Sequence, residues 1–370
     1  MNQHWLPGLV DAHSHAFHRA LRGRAAGGDF WAWRREMYSL VDRLDPDSLL
    51  ALATASFAEM VLAGITTVHE FHYVHQPDGM DDAICEAARR AGIRLVLLDT
   101  CYLRAGFDGG ELDAVQRRFS DGDVERWATR AEKVAAANPD VVVGAAIHSV
   151  RAVDAASMEF VAAWARDRGA PLHLHLSEQS AENDVCLAAT GRTPTQLAHD
   201  CGVLGPATTA VHCTHVTADD IALLGSTGTS VCLCPTTERD LGDGVGPAAA
   251  LASAGCPLRV GSDSHAVVDL FEEVRAIELD ERLVTGRRGV HESRDLLAAA
   301  TGSVDRCAID LDSVRLAGFD PADPVPMIVA AATAADVTDV EIGGRAIVRD
   351  RQHVSIDVAA ELRAAIAARR

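Results

Sequence analysis

Residues 9–23, LVDAHSHAFHRALRG, place His13 and His15 two positions apart at the end of an apolar run. In an extended chain, residues i and i+2 point to the same side, so both imidazoles can reach one ion. The spacing alone is weak, and its company strengthens it. HLHLSE, residues 173–178, supplies His173, His175 and Glu178, and GSDSH, residues 261–265, supplies Asp263. The histidine pair, a third histidine and a carboxylate form a nitrogen and oxygen donor set suited to Zn2+ with water at an open position; Fe2+ would fit too. Such an ion lowers the pKa of bound water toward neutrality, and a carboxylate that does not hold the ion can move the proton. The chemistry in question is metal-assisted hydrolysis.

Eight β-rich runs must position these groups: LVDAHSH, GITTVHEFHYVH, IRLVLLDTCYL, VVVGAAIHSV, PLHLHLSE, TTAVHCTH, TSVCLCPTTE and PLRVGSDSH. Ala-rich amphipathic stretches separate them. Apolar strands alternating with helices imply a parallel sheet covered on its outer face, and eight such units predict an α/β fold, a (β/α)8 TIM-like barrel. A doubly wound open sheet is the runner-up, disfavoured because no Gly-rich phosphate fingerprint follows the first strand. In nearly every run the apolar part comes first and the His, Asp, Glu or Arg last, as a barrel with its site at the C-terminal strand ends requires. The barrel is placed at residues 7–305. DVTDVEIGGRAIVRD reads as strand, Gly343-Gly344 turn and strand, so residues 306–370 are read as the remnant of a small, incomplete β-sandwich domain plus a C-terminal helix.

Composition narrows the partners. The chain has 370 residues, 48% of them hydrophobic, and a formal charge of −19, which argues against nucleic acid and anionic membranes. An anionic substrate would have to meet locally placed arginines. No apolar stretch approaches the ~20 residues of a membrane span, and MNQHWLPG lacks the features of a signal peptide, so a cytoplasmic protein is expected. The nine cysteines form no CxxC pair and read as reduced thiols, Cys232 and Cys234 among them as core packing. Unpaired edges in the small domain leave room for a homodimer.

HxH on the first strand, HxxE on the fifth, His on the sixth and SD on the eighth resemble the amidohydrolase superfamily in its single-metal aminohydrolase branch. HSHAFHRALRG, FWAWRREMY, EFHYVH, IHSVRAV, HLSEQ, CPTTERDLGDG and GSDSHAVVDLFEEVRAIELDERL resemble, within it, the formimidoylglutamate deiminases. The resemblance runs from about residue 7 to 290. It implies one Zn2+ per chain held by His13, His15, His175 and Asp263, with Glu178, His212 and Asp263 doing the proton work. The implied reaction is hydrolysis of N-formimino-L-glutamate to N-formyl-L-glutamate and ammonia, a step of histidine degradation. Arg34 and Arg151 match the positions that take the carboxylates of this diacid, a task suited to the guanidinium fork. Tyr73 and His148 join them as substrate-binding residues. His18 stands where the family pattern has glutamine and could still donate one hydrogen bond.

Other residues receive plainer readings. His173 is expected in the core or behind a ligand, and Trp31 and Trp33 in the core rather than packed beneath Arg34. His69, His72 and His75 follow the second strand at irregular spacing and read as mouth or loop residues rather than a second metal site. His215 is the rival of His212. Two other functions remain: a deaminase of another small amidine or nucleobase, disfavoured by the arginine pair, and a catalytically silent scaffold relative.

Overall fold

In the computed structural model, which describes residues 2–24, 27 and 30–368, all eight expected runs form strands. They are β1 (Gln3–Ser14), β2 (Ile65–His72), β3 (Arg94–Cys101), β4 (Val142–Ile147), β5 (Leu172–Leu176), β6 (Thr208–His212), β7 (Ser230–Leu233) and β8 (Leu258–Val260). Each pairs in parallel with the next. Closure comes from a parallel bridge between Ser14 and Asp263, where the amide of His15 donates to the Asp263 carbonyl and that of Asp263 to the His13 carbonyl. Gly261 permits it: a Cβ there would lie 2.5 Å from the His13 carbonyl oxygen. The fold is therefore a TIM-like α/β barrel, as expected.

The β1 strand is used twice. Its second half, from Leu9, runs parallel to β2, and its first half pairs antiparallel with β9 (Thr301–Asp310). From β9 the sheet continues through β10 (Val337–Ile342), β11 (Arg345–Arg349) and β12 (Gln352–His353). The β10–β11 hairpin turns at Gly343 and Gly344, both with positive φ (59° and 75°), as a two-residue turn demands. A boundary at 305/306 is corrected by this arrangement, because it falls inside β9. The first half of that strand, Thr301–Arg306, is mostly polar and half exposed, so its hydrophobic pattern gives no strand signal. Residues 3–6, placed outside the barrel by sequence, belong with this appendage through the same pairing.

Helices cover the outside of the barrel. Those that follow strands often start on a side-chain cap: Asp154 accepts from the Ser157 amide, Thr217 from Asp220, and Asp269 from Phe271 and Glu272. Each cap stabilises its helix by about 1 kcal/mol. The core beneath is continuous, with Trp127, Phe57, Phe71, Phe119 and Phe271 almost wholly buried.

Candidate active site

His13 and His15 end β1 with their side chains on one face, and His175 reaches the same point from β5. The Nε2 atoms of His13 and His175 lie 3.1 Å apart, and those of His15 and His175 3.4 Å. Asp263, just past β8, brings Oδ1 to 3.4 Å from Nε2 of both His13 and His15. For ligand arms of about 2.0–2.1 Å, a tetrahedral ion separates its ligands by roughly 3.3 Å. The four separations just given lie close to that value.

The orientation of the rings supports the same reading. His15 donates from Nδ1 to the Phe71 carbonyl (2.8 Å) and His175 from Nδ1 to that of His148 (2.9 Å), which leaves both Nε2 lone pairs facing inward. Burial pushes all three histidines below the ordinary histidine pKa, so their lone pairs are free. Facing lone pairs at this distance repel one another, and a cation between them removes the repulsion. The donor set fits a zinc-class ion.

Beside this cluster, the Nε2 of His212 lies 3.8 Å from Glu178 and 3.9 Å from Asp263. Its Nδ1 faces Glu238 at 3.4 Å, and Glu238 also accepts from the Cys234 amide at 2.9 Å. Burial opposes a charge on His212, but Glu178, Glu238 and Asp263 outweigh it and raise its pKa well above the ordinary value. Burial foremost raises the pKa of Glu178, only partly offset by His212. An imidazole whose proton is favoured by its carboxylate neighbours and a carboxyl whose proton is favoured by burial thus sit at one edge of the four-donor cluster. His215 turns away, with Nε2 donating to the Asp243 carbonyl at 2.8 Å.

Backbone strain marks this face. Ser177, His212, Cys213, Asp263 and His265 all have positive φ without being glycine, and all follow or end β5, β6 or β8. Such conformations cost on the order of 1 kcal/mol each and persist only where the surroundings fix them.

One pocket joins this cluster to the expected binding residues. His15, His18, Arg34, Tyr73, His148, Arg151, His175, Glu178, His212 and Asp263 all line it. Arg34, on the helix Phe30–Asp42, donates to the Tyr38 hydroxyl and stacks on the Trp31 and Tyr38 rings. Arg151 follows β4 and donates to the Ala105 carbonyl at 2.8 Å. The Tyr73 hydroxyl meets His18 Nε2 at 2.9 Å, and burial pushes that histidine down to about 3, so it is neutral. His148 packs edge-on against Tyr73 and Tyr102.

Two expectations are corrected here. Trp31 is 49% exposed and lines the pocket instead of the core, whereas Trp33, partly buried, packs against the core and lines the pocket as well. Aromatic residues beside an arginine read as packing by composition, yet here they form the outer wall. His75 sits in the loop after β2 and His72 ends that strand, but neither lines the mouth; both lie against Asp81. His173 is buried as expected, and so are Cys232 and Cys234.

Sequence reasoning missed Glu238, Glu70 and Glu182. Glu238 stands in CPTTERDLGDG four residues after Cys234, and the helix Pro235–Leu241 turns it back toward His212. Its signal was a carboxylate in the first turn after a strand. Glu70 accepts from the Ser14 hydroxyl and the Ala16 amide behind His13 and His15, and nothing in its spacing shows that. Glu182 lines the pocket from the first turn of the helix Ser180–Thr190, which begins just after Glu178.

The amidohydrolase family profile matches residues 5–323. A formimidoylglutamate deiminase of Pseudomonas aeruginosa is 38% identical over 76% of this chain and 66% of its own length, so the match spans somewhat under two thirds of that relative. A 5-methylthioadenosine/S-adenosylhomocysteine deaminase of Halobacterium salinarum is 30% identical over 96% of this chain and 84% of its own. Among solved structures, an amidohydrolase from Brucella melitensis superposes with a TM-score of 0.90 at 30% identity, covering 99% of this chain and 89% of that one.

Proposed function

The chain belongs to the amidohydrolase family, and we propose that it is a metal-dependent hydrolase of amidine C–N bonds whose substrate is N-formimino-L-glutamate. Water adds to the formimino carbon, ammonia departs, and N-formyl-L-glutamate remains. The observation that carries the substrate is that Arg34 and Arg151 open on the same pocket as the four-donor cluster. Two guanidinium groups in a chain of charge −19 suit two carboxylates. The 38% identical relative bears the corresponding name.

His13, His15, His175 and Asp263 would hold one ion, with zinc the first choice for this donor set. When bound, it supplies an acidified water and polarises the group under attack. Glu178 takes the proton from water and passes it to the departing nitrogen, which its raised pKa allows. His212, kept protonated by the carboxylates around it, donates to the charge that builds on the attacked centre. Tyr73, His148 and His18 set the substrate's position along the wall between the cluster and the arginines.

A second reading is favoured by one observation. Phe30, Trp31, Trp33, Phe107 and Phe119 give the pocket a broad aromatic wall, which would stack a nucleobase as readily as it shields arginines. The deciding experiment is ammonia release by the purified chain from N-formimino-L-glutamate, 5-methylthioadenosine and guanine, with zinc measured on the same sample. Release from the diacid alone upholds the proposal. Release from a purine instead would transfer the site to the second reading, and bound zinc with no release from any of the three would discard both substrates.

A further inference from the structure

Another group of histidines lies outside the pocket. His72 ends β2, His75 follows three residues later, and Asp81 opens the helix Met80–Ala91. His75 Nδ1 lies 3.1 Å and His72 Nε2 3.5 Å from the same atom, Asp81 Oδ1. All three residues are buried, the histidines at 1% exposure and Asp81 at 6%.

Two features of this cluster are unexplained by its own hydrogen bonds. Neither ring nitrogen of His72 has a hydrogen-bond partner. A neutral imidazole carries one lone pair and one N–H, and leaving both unmet in the interior is costly. The second feature is charge. Arg130 serves three carboxylates at once, donating to Asp81 (3.0 Å), Asp99 (2.7 Å) and Asp121 (2.8 Å). One guanidinium shared by two buried carboxylates and a partly exposed third leaves little positive charge for each. His75 donates from Nε2 to the Thr100 carbonyl at 2.9 Å, so its neutral tautomer turns the Nδ1 lone pair toward the Asp81 oxygen. Two imidazole nitrogens then face one carboxylate oxygen whose only positive partner, the Arg130 guanidinium at 3.0 Å, is shared with two further carboxylates.

We infer that His72, His75 and Asp81 form a second, structural site for a zinc-class divalent ion, separate from the cluster in the barrel mouth. The separations of 3.1 and 3.5 Å bracket the roughly 3.3 Å expected between ligands of a tetrahedral ion, and water would complete the set. Arg130 then plays the outer partner that steadies a ligating carboxylate. A proton on His75 is the rival occupant; it would pair with Asp81 but leave His72 unmet. An ion here would tie the end of β2 to the helix behind it and fix the segment between, which carries Tyr73 into the pocket wall.

The test is zinc content after exhaustive dialysis in the native chain, in His72→Leu and in the double variant His13→Ala, Asp263→Asn. The expected values are about two ions per native chain and about one in each variant. If His72→Leu does not fold, the double variant decides alone: retained zinc supports the second site, and none overturns it. One ion in the native chain that only the double variant loses, or no ion at all, also overturns it. One ion that His72→Leu loses and the double variant keeps would uphold this site and sink the metal reading of the mouth.

Discussion

The two ends of the pocket are built differently. At the cluster end, His13, His15 and Asp263 sit on or beside strand termini with at most 5% exposure, and His15 and His175 are each held by a backbone carbonyl. At the arginine end, Arg34 rides on a helix outside the barrel, beside a half-exposed Trp31, and Arg151 on the turn after β4. Catalytic geometry must hold within fractions of an ångström, which strands in a closed barrel supply, whereas substrate capture tolerates a less rigid support. Changes at the first end should therefore act on kcat, and changes at the second on KM.

The largest effect is expected at Glu178. Glu178→Gln keeps the side chain's shape and removes its proton transfer, so kcat should fall by about 10²- to 10⁴-fold while zinc content stays unchanged. Near-native turnover with zinc retained would remove Glu178 from the mechanism. Arg34→Met and Arg151→Met come next. Each loses charge-assisted hydrogen bonds of about 1.5–3 kcal/mol, which predicts a drop of roughly 10- to 100-fold in kcat/KM carried mainly by KM. An unchanged kcat/KM in both variants would erase the contrast between the ends and the argument for a diacid with it.

A smaller effect should follow from Glu238→Gln. Glu238 touches His212 and not the pocket's contents, so the loss is one of positioning and charge, about 10-fold in kcat. Its removal lowers the pKa of His212, so the limb of the pH–rate profile that needs a protonated His212 should move to lower pH. A uniform loss at every pH would mark Glu238 as a packing residue only.

The sequence was most legible where a side chain and a strand end coincide. Apolar runs ending in His13, His15, His175, His212 and Asp263 gave both the barrel and the cluster, because the period-2 pattern and the polar ends report one geometry. It was less legible where position depends on tertiary return. Glu238 reaches His212 through the turn of a short helix, and Trp31 belongs to a wall only because its helix folds over the barrel mouth. The small domain was misplaced for a related reason: the polar first half of β9 is held by pairing with residues 7–9 of β1, a contact distant in sequence.

The rigidity of the cluster end rests in part on Glu70. Glu70 lies behind His13 and His15, 1% exposed, accepting from the Ser14 hydroxyl at 2.8 Å and the Ala16 amide at 2.7 Å. Burial, opposed by these hydrogen bonds, raises its carboxyl from 4.5 to about 8. Protonated, it can donate to Ser14, whose hydroxyl then donates to His265 Nε2 at 2.9 Å. A carboxyl whose folded pKa exceeds its unfolded one contributes fully below the unfolded value and loses that contribution as pH rises toward the folded one. The native chain should therefore lose stability relative to Glu70→Gln, which keeps both hydrogen bonds, by on the order of 1 kcal/mol per pH unit between about pH 5 and 7. Urea midpoints of the two proteins measured across that range give the slope. Parallel curves would mean that Glu70 is ionised in the folded chain and that the strand carrying His13 and His15 is held by a buried charge, a less rigid support than a neutral hydrogen-bonded chain.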